Sequence, residues 1–256
     1  MTDNSTANGK PSSLHLRLFF IHGAGANGLT WANQTDFFKA AEAVTLPGHR
    51  VNETETFEGM RSIEDYAGWL HQYLHAEHNV DHLSERVVLI GHSMGAAIAM
   101  TYASLFPGQV AGLVLVGTGP KMAVPHPILD GLQKDFQATA IRIIDYCFTR
   151  EAPLTLKSPS LETMLQVGQE VTLGDFIACN HFDMTGQLAN LGNLPALVIS
   201  GQQDKMVPVE QAKLLAEQIP GAKLQLVENA GHNVMLEKPE EFNAILAGFL
   251  AENYSG

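Results

Sequence analysis

Short apolar runs recur along the chain and are separated by longer segments whose apolar residues have helical spacing. The runs predict strands at residues 14–21, 43–46, 86–90, 110–117, 196–199 and 223–227. The intervening segments predict helices at residues 31–41, 62–75 (with Ser62 as the cap), 94–106, 209–218 and 239–251. Strands that are apolar throughout and alternate with helices are typical of a parallel sheet covered on both faces. The pattern therefore predicts an α/β fold with a mostly parallel central sheet.

The alternation of strands and helices stops between residues 120 and 187. This stretch contains several prolines and no strand-like run, and its apolar residues recur at helical spacing. We therefore expect a helical insertion at 120–187 that lies over the edge of the sheet and interrupts a core formed by 14–119 and 188–256. Residues 1–13 are polar and predict a flexible N-terminal tail.

The composition narrows the class of protein. The chain has 256 residues, of which 45% are hydrophobic, and a formal net charge of −12. This acidic balance opposes binding to nucleic acid and to anionic membranes, so we expect neither partner. Residues 1–13 lack the apolar segment of a signal peptide, and no run is long enough to span a bilayer. Two cysteines, Cys147 and Cys179, fit buried free thiols in a reducing compartment. We expect a cytoplasmic monomer or homodimer.

The sequence Gly91-His92-Ser93-Met94-Gly95 is the strongest chemical signal in the chain. It lies directly between an apolar strand run and an alanine-rich helix, where a G-x-S-x-G pattern describes a sharp turn that exposes a serine hydroxyl. A serine hydroxyl is a weak nucleophile at neutral pH and needs a base to take its proton. The pattern therefore predicts a histidine and an acid elsewhere in the chain.

Two side chains of the required types follow later strands. Asp204 comes just after the predicted strand at 196–199, and His232 follows the last predicted strand. The carboxyl ends of parallel strands meet at one edge of a sheet, which is where open α/β sheets place functional groups. The order serine, acid, histidine is that of strand–turn–helix hydrolases. Asp183 remains an alternative acid, and we expect His92 and His22 to have structural roles.

Several motifs together resemble those of the alpha/beta-hydrolase fold superfamily, in its esterase and lactonase-like branch. They are His22-Gly23-Ala24-Gly25, Leu46-Pro47-Gly48-His49, Gly91-His92-Ser93-Met94-Gly95, Gly201-Gln202-Gln203-Asp204 and Gly231-His232. The resemblance implies Ser93 as the nucleophile, His232 as the general base and Asp204 as the acid that orients the imidazole. It also implies an oxyanion hole made by the backbone N–H groups of Ala24 and Met94, with Gly25 as an alternative donor, and a helical cap at the insertion. Thr45 and Arg50 depart from the Asp and Gly that usually flank the second motif.

This chemistry requires no metal and no organic cofactor, and we expect neither. His71, His75, His78 and His82 recur near helical spacing, but no neighbouring ligands complete a metal site, so a solvated face is the better interpretation. Apolar side chains of the insertion are candidates for an acyl pocket. They are Phe136, Phe148, Met164, Phe176 and Phe182.

These observations predict a serine hydrolase that cleaves small or medium, largely apolar carboxylic esters through an acyl-enzyme. A lactonase, a thioesterase or a hydrolase of C–C bonds would use the same three side chains. A haloperoxidase without cofactor or a hydroxynitrile lyase would use the same fold, whereas a dehalogenase needs a carboxylate at position 93. A receptor that binds a small ligand and turns it over slowly is the alternative from another class, because one fold serves many functions.

Overall fold

A central sheet of six parallel strands organises the structure. The computed structural model describes residues 15–39, 41–50, 60–77, 80 and 85–254, so the predicted tail at 1–13 lies outside the described residues. The strands are β1 (His15–Ile21), β2 (Ala41–Val44), β3 (Glu85–His92), β4 (Gly112–Val116), β5 (Ala196–Gly201) and β6 (Lys223–Val227). Their order across the sheet is β2-β1-β3-β4-β5-β6, and every pair is parallel. The predicted α/β fold is confirmed.

Helices cover both faces of this sheet. In the core they are α1 (Ala32–Phe37), α2 (Ile63–Gln72), α3 (Met94–Leu105), α8 (Val209–Gln218), α9 (Val234–Glu237) and α10 (Pro239–Tyr254). Shorter turns are the 3-10 helices Gly28–Trp31 and Leu188–Leu191 and a π-helical turn at Tyr73–Glu77. The predicted helix at 31–41 is wrong at its end, because Ala41 begins strand β2. Helix α9 was not predicted, since four residues are too few to show the periodicity of apolar side chains that indicates a helix.

Alternation of side chains along the strands divides the core between the two faces. In β1, Phe19 and Ile21 belong to one apolar cluster, together with side chains of α2, α3 and α8, whereas Leu18 and Phe20 belong to a second cluster with Trp31 and α10. Strands β3, β4 and β5 continue the same division. Both layers are fully apolar because each face of a parallel sheet is covered. Packing on both faces therefore fixes the sheet, and with it the positions of the loops that follow the carboxyl ends of the strands.

The segment between β4 and β5 is helical, as the sequence predicts. It contains α4 (His126–Lys134), α5 (Phe136–Cys147), α6 (Leu154–Val167) and α7 (Gln169–His181). These helices have an apolar cluster of their own, separate from the two layers of the sheet. At its base, Lys121 and Asp183 form an isolated antiparallel bridge and an ion pair of 2.8 Å. We call residues 120–187 the helical insertion.

The start of helix α2 provides a test of local stability. Ser62 accepts a hydrogen bond from the Asp65 N–H at 3.2 Å, and the Asp65 carboxylate accepts from the Ser62 N–H at 3.0 Å, which forms a capping box. We expect Ser62→Ala to lower the free energy of unfolding by about 1 kcal/mol. Urea unfolding measures this, with Ser158→Ala, on the exposed surface of α6, as the control. A loss as large in Ser158→Ala would contradict a specific effect of the cap.

Candidate active site

Ser93 lies in a strained turn between β3 and α3. Its backbone has φ 53° and ψ −114°, a conformation that a residue with a side chain rarely adopts. The two flanking glycines make the turn possible, because a Cβ on Gly91 would collide with the Gly95 backbone and one on Gly95 with the Ile21 carbonyl. Such strain persists only where the surrounding structure fixes it, and it is common at functional sites. Ser93 lines a cavity of about 600 Å³.

Asp204 and His232 are joined by a buried hydrogen bond. His232 Nδ1 lies 2.8 Å from Asp204 Oδ2, and both side chains are almost completely buried. The other carboxylate oxygen, Oδ1, accepts from the Met206 and Val207 N–H groups, each at 2.8 Å. With its proton on Nδ1 towards Asp204, His232 has its Nε2 lone pair available. His232 lines the same cavity as Ser93.

Backbone contacts hold these loops together. Gln203 N–H donates to the Ala230 carbonyl at 2.9 Å, so the loop after β5 is tied to the loop after β6. This approach requires Gly201, because a Cβ there would collide with the Gly231 carbonyl. His92 Nε2 lies 3.1 Å from the carbonyl oxygen of His232 and donates to it. Burial, followed by the charge of His232, lowers the pKa of His92 well below its usual value, so His92 is a neutral donor.

Ala24 and Ser93 line the same cavity, and the backbone N–H groups of Ala24 and Met94 are the predicted oxyanion donors. Among the described residues, neither the Ala24 nor the Met94 N–H has a protein acceptor. Met94 is the first residue of α3, where N–H groups have no partner within the helix. Gly25, the alternative donor, is engaged elsewhere, because its N–H donates to Asp175 Oδ2 at 2.8 Å. The geometry therefore favours Ala24 and Met94.

Sequence reasoning missed Asp175 altogether. This residue lies on α7 of the helical insertion and has no exposed surface. Its Oδ2 accepts from the Gly25 N–H at 2.8 Å and from His49 Nε2 at 2.8 Å, and its Oδ1 accepts from the Tyr66 hydroxyl at 2.7 Å. A buried carboxylate is stable only when it is hydrogen-bonded in this way. No local pattern distinguishes it from a solvated helical aspartate, although His49 lies in a motif that the sequence analysis did single out.

Two buried histidines below the Gly23–Ala26 loop have opposite electrostatic properties. His22 Nε2 accepts from the Leu46 N–H at 3.0 Å, and burial, together with the charge of His49, lowers the pKa of His22 to about 3. For His49, burial opposes protonation, but the Asp175 carboxylate outweighs it and raises the pKa. His22 is therefore neutral and His49 pairs with the buried anion. Thr45, a departure from the usual motif, accepts from the Gly28 N–H at 3.1 Å and so holds the start of the 3-10 helix that follows this loop.

The cavity in front of Ser93 has a volume of about 600 Å³ and lies between the sheet edge and the helical insertion. Of the predicted pocket residues, Met164 and Phe176 line it. The prediction is wrong for the other three. Phe148 is fully buried inside the cluster of the insertion and Phe136 packs against that cluster, while Phe182 belongs to the core around α3. Phe136 is half-buried, and the apolar character of these three side chains did not show whether each one faces a core or the cavity.

The alternative acid, Asp183, is not the partner of His232. Asp183 lies at the surface beside Lys121, whose ammonium group lowers the pKa of this carboxyl to about 2.

Cys147 and Cys179 are buried free thiols that line the cavity, and burial raises the pKa of both, which keeps them protonated. Ser93 is therefore a better candidate nucleophile than either thiol.

Neither a metal cluster nor a membrane span is found in the part of the chain that the structure describes. No group of three or more His, Cys, Asp or Glu side chains is arranged there to hold a metal ion. His71 stacks on Phe106 with ring centroids 3.9 Å apart, whereas His78 and His82 lie outside the described residues. None of the described helices has the length and apolar character needed to cross a membrane.

Comparison with known proteins places this site in a family. The sequence model of the Alpha/beta hydrolase family matches residues 18–245. That match covers most of the chain, including Ser93, Asp204 and His232. The chain belongs to the alpha/beta hydrolase family.

Individual relatives have diverse names. Protein ABHD8 of Mus musculus is 29% identical over 254 residues, and the match covers 91% of this chain but only 54% of that protein, so the chain spans about half the length of this relative. A 2-hydroxy-6-oxononadienedioate/2-hydroxy-6-oxononatrienedioate hydrolase of Paraburkholderia phymatum is 28% identical, with coverage of 97% and 90%. A solved structure of a thermophilic esterase is 29% identical and superposes with a TM-score of 0.79, covering 92% of this chain and 90% of that one. The two enzyme names agree on hydrolysis but not on the bond that is cleaved.

Proposed function

We propose that this hydrolase cleaves carboxylic esters through an acyl-enzyme intermediate. Ser93 Oγ attacks the ester carbonyl while His232 Nε2 accepts the hydroxyl proton and then donates it to the leaving alcohol. Asp204 holds the imidazole in the required tautomer and stabilises the imidazolium. A water molecule, deprotonated by His232, attacks the acyl-enzyme and releases the acid. The Ala24 and Met94 N–H groups stabilise the oxyanion of each tetrahedral intermediate.

One observation carries this proposal. A serine in a strained turn shares a cavity with a histidine whose Nδ1 is bound to a buried carboxylate at 2.8 Å. The carboxylate has no exposed surface on its side chain and two further backbone donors, so it is fixed as an acceptor. An acceptor in that position gives the histidine the tautomer that a general base for serine requires.

The lining of the cavity supports a largely apolar ester of small or medium size. About 600 Å³ is within the range of pockets that hold a small organic ligand. The walls are mainly aliphatic side chains and Phe176, with hydroxyl groups from α6. Representative members are Ile128, Ile143, Leu156, Thr163 and Met164. Burial of an acyl chain against such walls stabilises the complex in proportion to its apolar area.

Hydrolysis of a C–C bond is the second candidate, because a relative is named for a dioate substrate. A substrate with two carboxylates favours cationic side chains in its pocket. Among the described residues that line the cavity there is no arginine, and of the two lysines Lys121 is already paired with Asp183. Of these two, only Lys205 remains for an anionic group. This charge distribution favours uncharged esters, and it suits lactones and thioesters as well, which undergo the same acyl transfer.

Hydrolysis of p-nitrophenyl esters from acetate to decanoate tests the proposal, with Ser93→Ala measured in parallel to subtract hydrolysis outside the site. We expect turnover with an optimum at a short or medium acyl chain. A parallel series of lactones, thioesters and vinylogous diketone acids separates the related reactions. Turnover of the diketone acids alone would contradict ester hydrolysis. Tight binding without turnover of any substrate would favour a receptor instead.

A further inference from the structure

The buried carboxylate of Asp175 connects the helical insertion to the Gly23–Ala26 loop. It accepts hydrogen bonds from three separate parts of the core, namely the Gly25 N–H, His49 Nε2 and the Tyr66 hydroxyl. Both Asp175 and His49 have no exposed surface. Replacement of a buried carboxylate by an apolar residue removes acceptors from all three donors at once. The insertion therefore does more than cover the cavity, because its Asp175 side chain is hydrogen-bonded to the core beneath the Gly23–Ala26 loop.

Two sets of hydrogen bonds fix the direction of the Ala24 N–H. The peptide unit between Gly23 and Ala24 is held by its carbonyl, which accepts from His22 Nδ1 at 2.9 Å and from the Ala26 N–H at 3.3 Å. In a trans peptide the N–H points opposite to the carbonyl, so these bonds turn the Ala24 N–H away from His22. The next peptide unit is held through the Gly25 N–H by Asp175 at 2.8 Å.

Gly25 makes this arrangement possible and also makes it fragile. Its φ of 63° lies in the left-handed region, where glycine is favoured. Glycine has the largest conformational freedom of any residue, so nothing intrinsic to Gly25 keeps the loop in this conformation. The Asp175 carboxylate keeps the loop in this conformation, because it is a fixed acceptor for the Gly25 N–H. Without it, the Gly25 N–H would itself be free to turn towards the cavity in competition with Ala24.

We propose that Asp175 is a positioning residue that fixes the loop carrying the Ala24 N–H, so that the helical insertion completes the oxyanion hole. This inference rests on the proposed function, because it needs an oxyanion to form at Ser93. Oxyanion donors act only when they lie at hydrogen-bond distance from the position that the charged oxygen will occupy. Asp175 touches no substrate and acts through Gly25. Its effect should fall on the transition state and not on binding of the ester.

Three variants separate positioning from simple stabilisation of the fold. Asp175→Ala removes the acceptor, Asp175→Asn retains an oxygen for the Gly25 N–H, and Tyr66→Phe removes only the bond to Oδ1. We expect Asp175→Ala to lower kcat by about 100-fold, the effect of one lost oxyanion donor, with KM within about threefold of wild type. We expect Asp175→Asn to lower kcat by about three- to tenfold and Tyr66→Phe by less than about twofold, although both lower the thermal midpoint.

The rate of Ser93 labelling by a fluorophosphonate gives a second readout, because its phosphoryl oxygen occupies the oxyanion position. We expect the same order of the variants in labelling as in kcat. A folded Asp175→Ala with wild-type kcat and labelling would overturn the proposal. If Asp175→Ala does not fold, equal losses in Asp175→Asn and Tyr66→Phe would overturn it. Failure of the wild-type protein to label or turn over would instead reject the proposed function, so the two failures are distinguishable.

Discussion

Ser93→Ala should abolish ester hydrolysis and phosphonate labelling while the protein remains folded. Loss of the nucleophile removes the acyl-enzyme route, and serine hydrolases lose about 10⁶-fold in kcat from this change. Alanine is close in size to serine, and the turn strain at φ 53° is unchanged, so we expect the thermal midpoint to stay near that of wild type. Steady-state kinetics with the preferred p-nitrophenyl ester measures the effect.

A control is available at Ser200, a buried serine away from the turn. Ser200 lies in β5, and it does not line the cavity. We expect Ser200→Ala to retain hydrolysis and labelling. Wild-type activity in Ser93→Ala would remove Ser93 from the mechanism, whatever the result for Ser200→Ala.

Asp204→Asn should lower kcat by about 10⁴-fold, the loss seen when the histidine of a serine triad is held in the wrong tautomer. The structure explains why the amide cannot adapt. Oδ1 accepts from two backbone N–H groups, of Met206 and Val207, so the oxygen of asparagine must remain there. Its NH₂ group then faces His232 Nδ1, which has to become an acceptor. The proton moves to Nε2, and the base is lost.

Asp183→Asn is the matched control for the acid. Asp183 pairs with Lys121 at the surface, at the base of the helical insertion, whereas His232 pairs with Asp204. We expect kcat within about twofold of wild type, because Asp183 is not the partner of His232. The fold should also be little affected, since a surface ion pair contributes about 1 kcal/mol or less to stability. A large loss of kcat in Asp183→Asn, with near-normal rates in Asp204→Asn, would reverse the assignment of the acid.

The sequence predicts the framework of the site better than its surroundings. Strand ends and the G-x-S-x-G turn are local patterns, and parallel strands bring their carboxyl ends to one edge. The sequence alone therefore locates Ser93, Asp204 and His232 at that edge. Helix α8 and strand β6 also have the predicted bounds. The helix predicted at 31–41 ends early, because its apolar residues are shared between a 3-10 turn, a short helix and the start of β2.

Contacts between distant segments could not be predicted in this way. Asp175 is 126 residues from His49 and 109 from Tyr66 in the chain, and nothing near it in sequence shows that it is buried. Similarly, spacing marks Phe148 as buried without showing that it faces the interior of the insertion and not the cavity. Such features depend on how the insertion packs on the sheet, which is a property of the complete fold.

Fluorophosphonate labelling of the wild-type protein, with the modified residue mapped by mass spectrometry, tests the central claim most directly. The account predicts stoichiometric labelling at Ser93 alone, because among the described serines only this one combines a strained turn with His232 and the free N–H groups of Ala24 and Met94. Prior denaturation should abolish labelling, since the reactivity belongs to the folded site. Labelling at another residue, or none on the folded protein, would contradict the claim that Ser93 is an activated nucleophile.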